Sequence, residues 1–115
     1  PGVADVAPAF FGQLEQLRRH PIVGDIRGKG LMAGIEFVQP GTRTPFPAEV
    51  GLTARIDQAA RDAGLLVYPC PGIVDGTVGD SILMVPPLVI SPAEIGLLVD
   101  RLDTALATVT RAVLP

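Results

Sequence analysis

Twelve prolines run from one end of this 115-residue chain to the other, and together with thirteen glycines they set where regular structure must stop. A proline has no amide hydrogen and its ring collides with the preceding helical turn, so it closes an element or bends it. The first segment, from about Val3 to His20, places Val6, Phe10, Leu14 and Leu17 at helical spacing. Pro8 costs little there within the first turn or two. Arg18, Arg19 and His20 put positive charge at the C-terminal end, where the helix dipole favours it, and Pro21 ends the segment.

Two β-rich runs follow, on either side of Gly28-Lys29-Gly30, which is turn chemistry, so 22–38 reads as an antiparallel hairpin. Gly24 and Gly34 lack side chains and predict close approach of another backbone. Pro40, Gly41, Pro45 and Pro47 make 39–47 a loop. From Ala48 to Ala63 the helical period returns, with Leu52, Ile56, Ala59 and Ala63 on one face and Gly64 as a C-terminal stop. A short strand, Leu65-Leu66-Val67-Tyr68, is expected directly after it.

The stretch from Pro69 to Asp80 is a second loop, and Ser81–Val85 a last strand cut off by Pro86-Pro87. Ser91-Pro92-Ala93-Glu94 is a helix start: Ser91 as N-cap, Pro92 at the first helical position, Glu94 closing a capping box. Ile95, Val99, Leu102, Leu106 and Val109 form that helix's apolar stripe. The order helix, hairpin, helix, strand, strand, helix predicts an α+β fold. Its simplest packing is a small, mainly antiparallel sheet of three to four strands with helices on one face. The length suits one domain over residues 1–115. With 48% hydrophobic and 18% charged residues the chain can fill a core.

Charge and cysteine content exclude several functions. The net charge is -3, and the eight arginines are scattered without a basic stripe or interleaved aromatics, which argues against nucleic-acid binding. No apolar run approaches the ~20 residues of a membrane span, and the N-terminus has no secretory pattern. One cysteine, Cys70, excludes an internal disulfide and makes a reducing, cytoplasmic setting the expectation. One His and one Cys do not make a zinc site. A chain that begins on Pro1 rather than Met reads as a fragment or a processed piece.

Few residues are candidates for chemistry. Lys29 is the only lysine and so the only possible Schiff-base residue, yet a glycine turn is a solvated place and a catalytic lysine needs desolvation. Gly28-Lys29-Gly30 lacks the spacing and following helix of a phosphate loop. Asp25 and Arg27 read as a cross-strand or capping interaction, His20 as structural, and Cys70 has no histidine in view to activate it as a nucleophile. Tyr68 and Cys70 lie where a strand opens into a long Gly/Pro loop, a usual place for ligand-facing residues. The bland alternative is a partly buried tyrosine bonded to backbone.

Three segments, in order and spacing, resemble the class III pyridoxal-phosphate transaminases. They are Pro21-Ile22-Val23-Gly24-Asp25-Ile26-Arg27-Gly28-Lys29-Gly30-Leu31-Met32, then Ala63-Gly64-Leu65-Leu66-Val67, then Val85-Pro86-Pro87-Leu88-Val89-Ile90-Ser91 through Glu94. The resemblance runs from about Val3 to Val109 and implies the C-terminal small domain of a fold-type-I enzyme. Such an enzyme moves an amino group between an amine or amino acid and a 2-oxo acid. The resemblance implies pyridoxal phosphate as cofactor, held by a large domain that also supplies the Schiff-base lysine. It implies a homodimer too, and no catalytic residue in this stretch. The small domain helps to hold the substrate carboxylate, a task suited to bidentate arginine. In many members an Arg sits two residues before Val85, where this chain has Leu83. In several amine–pyruvate transaminases it sits instead at the position of Tyr68. Tyr68-Pro69, Asp75-Gly76 and Gly79-Asp80 ahead of Pro86-Pro87 resemble a subgroup labelled ω-transaminase or aspartate aminotransferase family. That implies a pyruvate-type acceptor and an amine, or distal-amine, donor.

The contrasting expectation is a stand-alone, non-catalytic α+β binding or interaction module descended from that domain. It requires a helical surface polar enough to exist alone, and the wide apolar stripe from Phe10 and Phe11 to Leu17 argues against it. A third, a small regulatory ligand-binding domain, has only the general architecture behind it.

Overall fold

The computed structural model describes residues 3–74, 76–86 and 90–114, with the side chains of 3–6 excluded. Asp75 of the loop pattern, Pro87, Leu88 and Val89 of the third motif, Pro1, and the side chain of Val6 lie outside the described residues. Helix α1 (Val3–Leu14) tightens into a 3-10 turn (Glu15–Arg19) and is followed by β1 (Val23–Lys29) and β2 (Met32–Phe37). A 3-10 turn (Ala48–Val50) leads to α2 (Leu52–Asp62), then β3 (Tyr68–Pro69), β4 (Asp80–Met84) and α3 (Pro92–Val113). The four strands form one antiparallel sheet in the order β1-β2-β4-β3. The expected α+β architecture is the one observed.

Burial alternates along the central strands as a sheet covered on one side requires. Ala33, Ile35 and Phe37 of β2 and Ile82 and Met84 of β4 are buried, while Gly34, Glu36, Ser81 and Leu83 between them are not. Onto the buried side pack Leu52, Ile56 and Ala60 of α2, Ile95, Val99, Leu102 and Leu106 of α3, and Phe10 and Leu14 of α1. Phe10, Leu14 and Leu17 are fully buried in the chain's own core and Phe11 half-buried. The stripe expected to be exposed without a neighbour is therefore covered.

Several boundaries differ from the sequence reading, each for a local reason. The first helix ends at Leu14, because the chain tightens to bond the His20 amide to the Leu17 carbonyl before the extended stretch leading into β1. The hairpin turn is Gly30-Leu31 rather than Gly28-Lys29-Gly30, since Lys29 pairs with Met32. Leu31 is buried at 4% exposure, so burying it selects the register. The close approach falls at Gly28, where a Cβ would lie 1.9 Å from the Met32 carbonyl oxygen. Gly34 has nothing nearer than 3.9 Å, and at Gly24 the Val38 side chain is nearest at 2.7 Å, with the Glu36 carbonyl oxygen at 3.4 Å.

The second helix starts at Leu52 and not Ala48, because Gly51 takes a left-handed φ of 62° between the 3-10 turn and α2. Its fully buried face is Leu52, Thr53, Ile56 and Ala60, with Ala59 and Ala63 half-buried. Gly64 ends it with φ 84°, as expected. The strand expected over Leu65–Tyr68 joins the ladder only at Tyr68: the Leu65 amide still bonds back to the Ala60 carbonyl at 2.8 Å as part of the helix stop. The last helix has its full capping box.

Candidate functional site

The face of the sheet away from the helices brings together residues that are far apart in sequence. Tyr68 pairs with Leu83, Leu83 with Gly34, and Gly34 with Arg27, so one row crosses all four strands. In the next row Ser81 pairs with Glu36 and Glu36 with Asp25, and the Cys70 amide joins it through the Ser81 carbonyl at 2.9 Å. Period-2 geometry places Tyr68 and Cys70 on the same side of their strand. Between the rows lies a depression of about 200 Å³ lined by Arg27, Gly34, Glu36, Cys70, Ser81 and Leu83. Its middle is low because Gly34 contributes no side chain.

Both substrate-facing candidates are at this surface. Tyr68 is 63% exposed and makes no side-chain hydrogen bond to a described residue, so the alternative of a partly buried, backbone-bonded tyrosine does not hold. Cys70 is half-buried, its Sγ 3.6 Å from the Tyr68 carbonyl oxygen. Beside Tyr68 opens a larger apolar depression of about 400 Å³, walled by Leu65, Leu66, Val67, Val85, Pro86 and Leu98.

At the other end of the row Arg27 lies 3.5 Å from Glu36 and 3.7 Å from Asp25. The cross-strand partner of Arg27 is thus Glu36, with Asp25 alongside on its own strand. Both contacts are long and the arginine is well exposed, so each contributes little to stability.

The loop between β3 and β4 continues the ladder as a narrow hairpin. Gly72 donates to Gly79 at 2.7 Å, Val74 to Val78 at 3.0 Å, and Gly76 to Gly72 at 2.7 Å. Gly72 and Gly79 have left-handed φ values of 74° and 104°, and a Cβ on either would collide with the opposite leg. At the foot of the loop Asp80 is turned to the helix side and buried. Its Oδ1 accepts from both the amide (3.0 Å) and the hydroxyl (2.6 Å) of Thr53. Sequence reasoning missed this pair. The only local signal was an acid placed directly between a glycine loop and a strand.

Lys29 is exposed at the end of β1, outside the depressions described above. The donor set of this chain therefore does not fit a Schiff-base cofactor, which needs its lysine in a desolvated pocket. His20 is buried with Nε2 2.6 Å from Asp103 Oδ1, which also accepts from Arg19, so it ties the end of the 3-10 turn to α3. Among the described residues there is no group of three or more His, Cys, Asp or Glu able to hold a metal ion. No described helix is long and apolar enough to cross a membrane.

Sheet order and open face together define a small α+β fold with helices on one side of an antiparallel sheet. It superimposes with a TM-score of 0.80 and 34% identity on an (S)-enantioselective omega-transaminase from Thermomicrobium roseum, over 93% of this chain and 22% of that one. The chain belongs to the aminotransferase class-III family, whose profile matches residues 2–106. It is 39% identical over 102 residues to an uncharacterized aminotransferase of Schizosaccharomyces pombe, covering 88% of this chain and 22% of the relative. It is also 36% identical over 105 residues to the mitochondrial gamma-aminobutyrate transaminase 1 of Oryza sativa subsp. indica, covering 90% of this chain and 19% of the relative. The chain thus spans about a fifth of the length of the curated relatives it matches.

Proposed function

We propose that residues 1–115 are the C-terminal small domain of a pyridoxal-phosphate-dependent transaminase. The whole enzyme moves an amino group from an amine or amino acid to a 2-oxo acid such as pyruvate. It is a cytoplasmic homodimer, and this domain's open sheet face, with Tyr68 and Cys70, meets the substrate. The observation that carries the reading is the row through Tyr68 and Leu83. The two positions at which family members are expected to hold a carboxylate-binding arginine are direct cross-strand partners on one uncovered face. Two alternative sources of one guanidinium would need that proximity. The large domain holds the cofactor and its lysine, consistent with the poor fit of Lys29.

Neither position is an arginine here, and the row's own cation, Arg27, lies on the opposite edge strand from Tyr68. The apolar depression beside Tyr68 then suits an apolar part of an amine donor. The test is Tyr68→Ala in the full-length enzyme. The ratio of kcat/KM between a bulky and a small amine donor is expected to change about tenfold, with pyridoxal-phosphate affinity unaltered. Equal loss of both properties, or no change in either, would remove Tyr68 from the substrate site.

One observation favours the second reading, a stand-alone non-catalytic module: the chain buries Phe10, Leu14 and Leu17 in its own core. Against it stand Leu66 at 83% and Val85 at 48% exposure around the depression beside Tyr68. Apolar surface of that kind is ordinarily covered by a neighbour.

A further inference from the structure

We infer that Asp80, acting through Thr53, is a positioning residue that fixes the glycine hairpin next to the open face against the helix layer. The inference rests on the reading of that face as the substrate side. Its starting point is a deficiency in α2. The N-cap of this helix is Gly51, which has no side chain to accept from the first-turn amides. Such amides are left without intrahelical partners and carry the positive end of the helix dipole. Asp80, 27 positions away in sequence, supplies the missing acceptor and negative charge by taking both Thr53 donors on one oxygen.

The consequence for the open face follows from what Asp80 is joined to. It is the first residue of β4 and pairs with Phe37 of β2, so its backbone is held by the sheet while its side chain grips the helix. The next residue, Ser81, takes the Cys70 amide on its carbonyl at 2.9 Å. Leu83, two residues further, is the partner of Tyr68. On the loop side, Gly79 takes the Gly72 amide. Asp80 therefore stands where the glycine hairpin joins the sheet, and its grip on α2 sets the position of that junction. Without it the sheet ladder remains, with Tyr68 and Cys70 on it, but the glycine hairpin loses its fixed relation to the helix layer.

The test uses the longer polypeptide that contains this domain, with Asp80→Ala, Thr53→Val and Thr53→Ser. Two readouts are needed: steady-state kinetics with (S)-1-phenylethylamine and pyruvate, and the rate of limited proteolysis within loop 71–79. Asp80→Ala and Thr53→Val, which remove the acceptor and the hydroxyl donor, are expected to raise the KM for the amine about five- to tenfold, the worth of one buried hydrogen bond. The kcat should stay within about twofold, the pattern of lost binding rather than lost chemistry. Loop cleavage should accelerate, and Thr53→Ser, which keeps the hydroxyl, should restore both. A merely structural pair would lower the folded fraction and leave KM as it was. Unchanged loop cleavage in folded variants overturns the positioning role and leaves the Tyr68 reading standing. Faster cleavage with unchanged KM shows instead that the hairpin does not meet the amine and overturns the inference, while the open-face reading stands or falls by Tyr68→Ala.

Discussion

Asp103 shows how a single residue joins the two ends of the chain. From α3 it accepts hydrogen bonds from Arg19 and from the buried His20 ring, more than eighty positions earlier. Burial alone pushes its carboxyl up, but the hydrogen bonds from His20 and Arg19, with the arginine's charge, outweigh this and hold it below its ordinary value of 3.8. A carboxylate with a depressed pKa contributes stability that is fully present above the unfolded value and is lost as pH falls through the folded one. The window is therefore the acid range below 3.8. Asp103→Asn is expected to lower stability at neutral pH by about 1 kcal/mol, allowing for solvent screening of the exposed Arg19 partner. It should also flatten the acid limb of the curve of Tm against pH. An acid limb of unchanged steepness would show that Asp103 is not the titrating group. The basic run at 18–20 was legible as a helix end, but its acidic partner was not, because nothing local connects residue 20 to residue 103.

At the scale of the element, the helices separate those that begin for local reasons from those that do not. The start of α3 is encoded in four consecutive residues. Ser91 Oγ accepts from the Glu94 amide at 3.2 Å, and Glu94 Oε1 accepts from the Ser91 amide at 3.0 Å. That backbone donor, followed by the Ser91 side chain, holds the Glu94 carboxyl below its usual range. Ser91→Ala is expected to cost about 1 kcal/mol, measured by chemical denaturation; a change indistinguishable from zero would mean the box adds nothing to α3. Helix α2 has no such signal, since its N-cap is a glycine and its acceptor arrives from β4. That is why the sequence reading began it four residues early. The hairpin falls between these cases: both strands were legible, but the turn moved to Gly30-Leu31 because Leu31 buries itself.

For the whole molecule the question is whether a neighbour covers what this chain leaves open. Leu66, Tyr68 and Val85 are about half to five-sixths exposed around one depression, while the side chains between sheet and helices are buried. A domain with one finished side and an apolar, uncovered area on another is built to sit against something. An antibody raised against residues 41–51 is expected to detect a native polypeptide several times heavier than 12.0 kDa. A species near 12.0 kDa would assign the chain to the stand-alone module and end the transaminase proposal for it.

Sequence by itself determined what acts within a few residues: the capping box at Ser91, the stop at Gly64, the alternation of Ala33, Ile35 and Phe37, and the three segments that marked the family. Hydrogen bonds between near neighbours and the period of apolar side chains are local, so they can be read without knowing the fold. Tertiary structure alone decided which glycine is tight, which residue caps α2, and that Tyr68 faces Leu83 across a strand pair. Those outcomes depend on register, and register is selected by which distant side chains can be buried together, a competition in which Leu31 and Asp80 take part only once the chain has closed on itself.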